Sequence, residues 1–133
     1  ADHYLGYPFD HTLYENTKYS IVSETHVDNN DPFMITEKTA RAIINKHPFI
    51  IASTPRFLEQ LRARGYQTFF DIWPEDYDME YEDEKRMQMI ADTVRHIHNH
   101  PVDWIGAYSI SKNNYAHLQR RYDDAVKRLS QTL

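Results

Sequence analysis

The chain has 133 residues, 41% of them hydrophobic and 26% charged, a composition typical of a single globular domain rather than a disordered segment. Fifteen basic and twenty acidic residues give a net charge of −5, which argues against a nucleic-acid partner but allows a local basic pocket. There is no cysteine, which excludes disulfide scaffolds and thiol catalysis, and no apolar run approaches the roughly 20 residues that a membrane-spanning helix needs. No signal-peptide pattern opens the chain, and we expect a cytoplasmic location.

The first half of the chain predicts an aromatic arm followed by a strand, a helix and a second strand. Residues 1–18 are rich in aromatics without a clean period, which indicates an irregular arm, and residues 19–133 form the domain proper. Residues 19–25 begin with β-branched and aromatic side chains, as strands do, and a polar turn cluster follows. Thr36 is a suitable N-cap for a helix that reaches about Lys46, and the apolar run 49–52 is typical of a strand buried on both faces.

The middle of the chain predicts another helix and a third strand. Thr54 followed by Pro55 is an N-cap and first-turn pair, and the helix that it opens closes on Gly65. Residues 68–70, Thr-Phe-Phe, suit a third short strand.

The second half predicts an acidic loop and two amphipathic helices. Residues 71–84 carry eight acidic side chains and no basic one, and we expect a loop over residues 71–78. The next helix begins between Tyr81 and Lys85 and carries an apolar stripe over residues 87–97. The last helix has one apolar stripe, formed by Tyr115, Leu118, Tyr122, Ala125 and Leu129.

Strands that alternate with ten-residue helices predict right-handed βαβ units, and hence an α/β, Rossmann-like single domain with a small parallel sheet. Ligands of such sheets bind beyond the carboxyl ends of the strands. Those ends are residues 24–26, the pair Ser53 and Thr54, and Asp71.

The most informative segment runs from Glu24 and His26 to Thr36, Glu37 and Lys38. A helix that begins at Thr36 offers free backbone N–H groups, Lys38 adds a positive charge, and Glu37 can accept hydrogen bonds from ribose, a combination that suits a nucleoside diphosphate. The simpler interpretation is that Thr36 caps the helix, Glu37 complements its dipole and Lys38 is solvated.

Residues 19–52, with Ser-Glu-Thr-His, then Ile-Thr-Glu-Lys and a Pro-led strand, resemble the donor-binding segment of fucosyltransferase-like GT-B glycosyltransferases. Downstream, Leu-Arg-Ala-Arg-Gly-Tyr-Gln-Thr-Phe and Glu-Asp-Tyr-Asp resemble small glycosyltransferase-like proteins of bacteria and phages, so that the resemblance covers roughly residues 19–100. The chain departs from the family pattern at Thr25, where the family has Asn, and at Met34, where it has Tyr. Its length matches one half of a GT-B architecture.

The resemblance implies a nucleotide-sugar partner and a transfer of sugar to an acceptor hydroxyl, without a metal or other cofactor. It assigns Glu37 to the donor ribose and Lys38 to its phosphates, and it aligns Glu24 with the family's strand-end glutamate. Glu24 or His26 then contacts the sugar or acts as the base. From the residues themselves, Ser53 and Thr54, next to Arg56, can help to hold a phosphate at the start of the second helix, or Thr54 is a plain N-cap.

Other patterns support different functions. His96 and His100, at i and i+4, suit either a shared metal ion or a polar helix end. The acidic stretch suits a cation site or a solvated face, and the aromatic set suits a sugar site or packing; that set is Trp73, Tyr77, Tyr81 and Trp104. The alternative to a glycosyltransferase is a non-enzymatic interaction domain that docks a protein partner through the aromatic arm at residues 4–14.

Overall fold

The computed structural model describes residues 17–24 and 35–132, together with the backbone of residues 2–4 and 7–9. The fold is mixed α/β and mostly helical, and the described residues include a two-stranded parallel sheet. The elements in chain order are β1 (Asp2–Tyr4), β2 (Tyr7–Phe9), β3 (Ser20–Ser23), α1 (Glu37–Ile44), β4 (Phe49–Ala52), α2 (Phe57–Ala63), a 3-10 helix (Asp76–Met79), α3 (Asp83–Asn99) and α4 (Trp104–Thr132).

The arm is not irregular throughout, because β1 and β2 pair antiparallel, with Asp2 opposite Phe9 and Tyr4 opposite Tyr7. Only two residues separate these strands in the sequence, which is the commonest loop length of a β-hairpin. The remainder of residues 1–16 and the turn cluster at residues 26–32 lie outside the described residues.

The predicted strand–helix–strand unit is confirmed. Strands β3 and β4 are parallel, with Ser20 opposite Phe49 and Ser23 opposite Ala52, and α1 lies between them in the chain. Phe49, Ile50 and Ile51 of β4 are buried, as expected for a strand covered on both faces. Helix α1 is two residues shorter than predicted, because it ends in a Schellman turn in which the N–H groups of Lys46 and His47 bond back to helix carbonyls.

The predicted third strand is wrong. No strand forms at residues 68–70, because side chains occupy the backbone groups that a neighbouring strand would pair. The amide of Asn114 accepts from Gln67 N at 2.8 Å and donates to Gln67 O at 2.9 Å, and Glu75 Oε2 accepts from Phe69 N at 2.9 Å. Phe69 still enters the core, where it packs edge-on against Phe49.

The predicted N-cap of the second helix is also wrong. Helix α2 begins at Phe57, after Arg56, and Thr54 does not cap it. Instead the carboxylate of Asp78, from the acidic stretch, accepts from Leu58 N at 2.8 Å and from Glu59 N at 3.1 Å. A carboxylate that is distant in the sequence can accept hydrogen bonds from the first amides of a helix as a local N-cap does. The spacing of residues in the sequence does not reveal such a partner.

The acidic stretch is mainly loop and 3-10 helix, and α3 begins at Asp83, within the predicted window. It is not a uniformly solvated face, because Glu75 and Asp78 are buried with the core, whereas Asp71, Asp76 and Glu84 are exposed. The buried carboxylates hold the segment to α2 and to residue 69. The acidic residues of this stretch are therefore of two kinds: buried carboxylates that accept backbone hydrogen bonds, and exposed ones.

The two last helices bury less of their apolar stripes than the pattern predicts. Ile90 and Ile97 of α3 are buried, whereas Met87 is 52% exposed. In α4 only the first half packs, and every described residue from 119 to 132 is exposed, including Leu129. In the described part of the chain, no helix has the length and apolar character to cross a membrane.

Candidate functional site

Glu24 follows the last residue of β3 and anchors the start of α1. Its carboxylate is buried and accepts from Thr36 N at 3.0 Å, from Thr39 Oγ1 at 2.7 Å and from the Thr36 hydroxyl. A negative charge at this end of the helix complements the partial positive charge of the helix dipole. Glu24 therefore fixes the geometry of the strand end and the helix start relative to each other, and both of its oxygens are engaged.

Thr36 is the N-cap of α1, as predicted. Its Oγ1 accepts from Lys38 N at 3.2 Å. The backbone N–H groups of Thr36 and Lys38 are thus bonded within the protein, so an incoming phosphate would contact side chains here rather than these amides. Glu37 is exposed in the first turn, and His26 lies outside the described residues.

Lys38 lines a cleft of about 350 Å³ between α1 and β3. Arg41, one helical turn further, lines the same cleft, and Ile21 to Ser23 form its other wall. None of the described residues that line the cleft is acidic, and within the described chain Lys38 forms no ion pair. The cleft runs along β3 from Thr17 to Ser23, and Lys38 places an ammonium group in it, in a protein with an overall negative charge.

Ser53 and Thr54 follow β4 and do not line this cleft. The carbonyl of Ser53 accepts from Arg86 Nε at 2.8 Å, and the Ser53 hydroxyl is buried without a hydrogen-bond partner among the described residues. Thr54 precedes α2, whose first amides, Leu58 N and Glu59 N, already donate to the carboxylate of Asp78. Ser53 and Thr54 thus do not line the Lys38 cleft, and the carboxylate of Asp78 accepts from the α2 amides at which a phosphate was expected.

The sequence patterns did not point to Arg41 or Arg86. Arg41 was detectable, because it lies three residues after Lys38 and hence on the same helix face. Arg86 is buried and bonds to the carbonyls of Ser53 and Glu80, although it stands in an apparently exposed helix start. Arg56 has a left-handed backbone (φ 65°), which no sequence signal indicates.

The aromatic set divides between packing and exposure. Trp73 and Tyr77 are buried in the core, Trp104 is half-buried, and Tyr81 is exposed and accepts a hydrogen bond from Arg56. Burial raises the pKa of the Tyr77 hydroxyl well above its usual range. These rings therefore do not converge on one sugar-sized site.

The histidine pair lies at the end of α3, with the rings of His96 and His100 stacked at 4.2 Å between centroids. His100 Nδ1 is 3.0 Å from the carbonyl of His96, which indicates a donated hydrogen bond. Within residues 17–24 and 35–132, no group of three or more His, Cys, Asp or Glu side chains is arranged to hold a metal ion.

No protein-family model, curated protein or solved structure matches this chain.

Proposed function

We propose that this chain is a glycosyltransferase-like donor-binding domain, the Rossmann-like half of a GT-B architecture, which binds a nucleotide sugar or nucleoside diphosphate in the Lys38 cleft. One observation carries the proposal. Lys38 lines an open cleft that runs along β3, a parallel strand, to its carboxyl end, with no carboxylate among its described lining residues. This is the end of a parallel sheet at which nucleotides bind in α/β proteins.

The chemistry follows from the charges. The ammonium group of Lys38 contacts the diphosphate. Glu37, exposed in the first turn of α1, accepts hydrogen bonds from the ribose hydroxyls. During transfer, the bond between the sugar's anomeric carbon and the diphosphate breaks, and a bond to the acceptor oxygen forms. Lys38 then stabilises the charge that develops on the leaving diphosphate. The acceptor's proton goes to a base, for which Glu24 and His26 are the candidates.

The hydrogen bonds of Glu24 bear on the choice between Glu24 and His26 as the base. Because three donors hold its carboxylate, Glu24 is better suited to position the cleft than to take a proton. His26, two residues beyond, is the stronger candidate for the base.

Calorimetric titration with a panel of nucleoside diphosphates and their sugar esters tests the proposal. Lys38→Gln removes one charge-assisted contact, worth about 1.5–3 kcal/mol, and should weaken binding roughly ten- to hundredfold. Lys127→Gln, which removes the same charge from the exposed half of α4, is the matched control. Equal affinity in the Lys38 and Lys127 variants would remove the proposed phosphate contact.

The alternative function, a non-enzymatic interaction domain, is favoured by one observation. The second half of α4 exposes Tyr122, Val126 and Leu129 along one stretch of helix. If no nucleotide binds the wild-type protein at millimolar concentration, this alternative becomes the better account of the chain.

A further inference from the structure

The exposed half of α4 carries an apolar stripe with a basic edge, which we call the α4 surface. Tyr122, Val126 and Leu129 are 53%, 45% and 65% exposed, and their spacings of four and three residues place them on one face of the helix. Arg121 and Arg128, seven residues apart, both lie on one side of this stripe, about 100° around the helix from it. Neither arginine forms an ion pair with another described residue.

This composition suits a negatively charged protein partner better than a second α4. Residues 119–132 contain four basic and two acidic side chains, so two such segments would meet with the same sign of net charge. Tyrosine and arginine are the residue types that protein–protein interfaces favour at their centres. The partner of the α4 surface should therefore combine exposed apolar side chains with carboxylates.

The start of α3 has this complementary composition, and we call its four residues the α3 surface. Tyr81 and Met87 are 63% and 52% exposed, and Glu82 and Glu84 between them are exposed as well. Glu84 and Met87, three residues apart, are neighbours on the helix. Among the residues that the structure describes, Glu82 and Glu84 have no ion-pair partner.

The cations of this region are already used within the chain. Lys85 Nζ lies 3.2 Å from Glu80 Oε1, and the guanidinium group of the buried Arg86 lies 2.6 Å from Asp83 Oδ1. These two pairs neutralise the other two carboxylates of the segment. The unbalanced negative charge is therefore concentrated on the two glutamates of the α3 surface.

We propose that the α4 surface of one copy of this chain docks on the α3 surface of a second copy. The apolar side chains of the two surfaces cover each other, and Arg121 and Arg128 face Glu82 and Glu84. Each copy carries one surface of each kind, so a two-fold arrangement closes a dimer with two such contacts. The surfaces are small, which makes the association weak and dependent on concentration. The proposal does not depend on nucleotide binding.

Sedimentation velocity from about 5 µM to about 500 µM protein measures the association. We expect the weight-average sedimentation coefficient of wild type to rise from that of a monomer toward that of a dimer. Because the contact joins opposite charges, the rise should be smaller in about 0.5 M salt than in about 0.05 M salt. A wild-type chain that stays monomeric over this range would overturn the proposal.

Charge reversal identifies the two surfaces. The double variant Arg121→Glu, Arg128→Glu and the double variant Glu82→Lys, Glu84→Lys should each associate at least about tenfold more weakly than wild type. An equimolar mixture of the two variants should associate again, because both contacts of the mixed dimer then join opposite charges. A mixture that remains monomeric, while each variant keeps the wild-type circular dichroism spectrum and melting temperature, would overturn the pairing.

A matched control lies on the opposite face of the same helix. Arg120 and Lys127 are also exposed and seven residues apart, about 150° around α4 from the apolar stripe. The double variant Arg120→Glu, Lys127→Glu makes the same change of net charge as the Arg121 and Arg128 variant, and it should associate like wild type. Equal weakening by both double variants would show that net charge alone acts, and would contradict a defined α4 surface.

Discussion

Glu75 is a carboxylic acid enclosed in the core, and it makes the stability of the fold depend on pH. Burial raises the pKa of Glu75 from its ordinary 4.5 to about 6, although Phe69 N donates to it and Arg62 lies 3.6 Å away. Because the pKa is higher in the folded state, Glu75 stabilises the fold below pH 4.5, and this contribution is lost as the pH rises through 6. The difference of about 1.5 pKa units corresponds to about 2 kcal/mol.

Glu75→Gln should therefore be more stable than wild type at pH 8 by up to about 2 kcal/mol, because the amide keeps an acceptor for Phe69 N without a charge to desolvate. Urea unfolding at pH 4.5 and pH 8 measures the effect as the difference between variant and wild type. The advantage of the variant should vanish at pH 4.5. Parallel stability curves for the two proteins would show that Glu75 does not titrate in this way.

At the level of elements, one side chain from the acidic stretch determines where α2 begins. Asp78→Ala leaves the amides of Leu58 and Glu59 without their acceptor, and we expect a loss of about 1–3 kcal/mol in the free energy of unfolding. Asp76→Ala, in the same 3-10 helix but exposed, is the control and should change stability by less than about 0.5 kcal/mol. Equal effects of the two substitutions would contradict the capping role.

Asn114 links α4 to the segment that does not become a strand. Asn114→Ala removes the hydrogen-bond partners of both Gln67 N and Gln67 O. We expect the free energy of unfolding, measured by chemical denaturation, to fall by about 2–4 kcal/mol. Asn113→Ala is a close control, since the neighbouring Asn113 is exposed and donates a hydrogen bond to the side chain, not the backbone, of Gln67. A small effect at Asn114, similar to that at Asn113, would mean that water replaces these bonds.

The sequence predicts local elements well and misses long-range side-chain partners. The Thr36 cap and the start of α3 depend on neighbouring residues, and the parallel pairing of β3 and β4 follows from the strand–helix–strand order; these predictions are confirmed. The third strand fails because its partner is a side chain 47 residues away, and the cap of α2 comes from a residue 20 positions distant. In the candidate site, Lys38 lines a cleft as expected for a ligand contact, whereas Glu24 was expected to face a ligand and binds the helix start instead.

At the scale of the whole molecule, α4 consists of a packed half and an exposed half. Ala107, Ser111 and Asn114 are buried, whereas residues 119–132 are all exposed among the described residues. Helices of this length are marginal without packing, so amides 119–132 should exchange hydrogen faster than those at 107–118. Exchange measured by mass spectrometry tests this, and equal protection of both halves would indicate that the second half is covered in solution.

The central claim is that the Lys38 cleft receives the diphosphate of a nucleotide. Amide-resolved NMR during titration with a nucleoside diphosphate tests it most directly. We predict saturable shifts at residues 21–23 and 37–42, which surround the cleft, and their loss in Lys38→Gln. Shifts that are absent, or that are confined to residues that do not line this cleft, would contradict the claim.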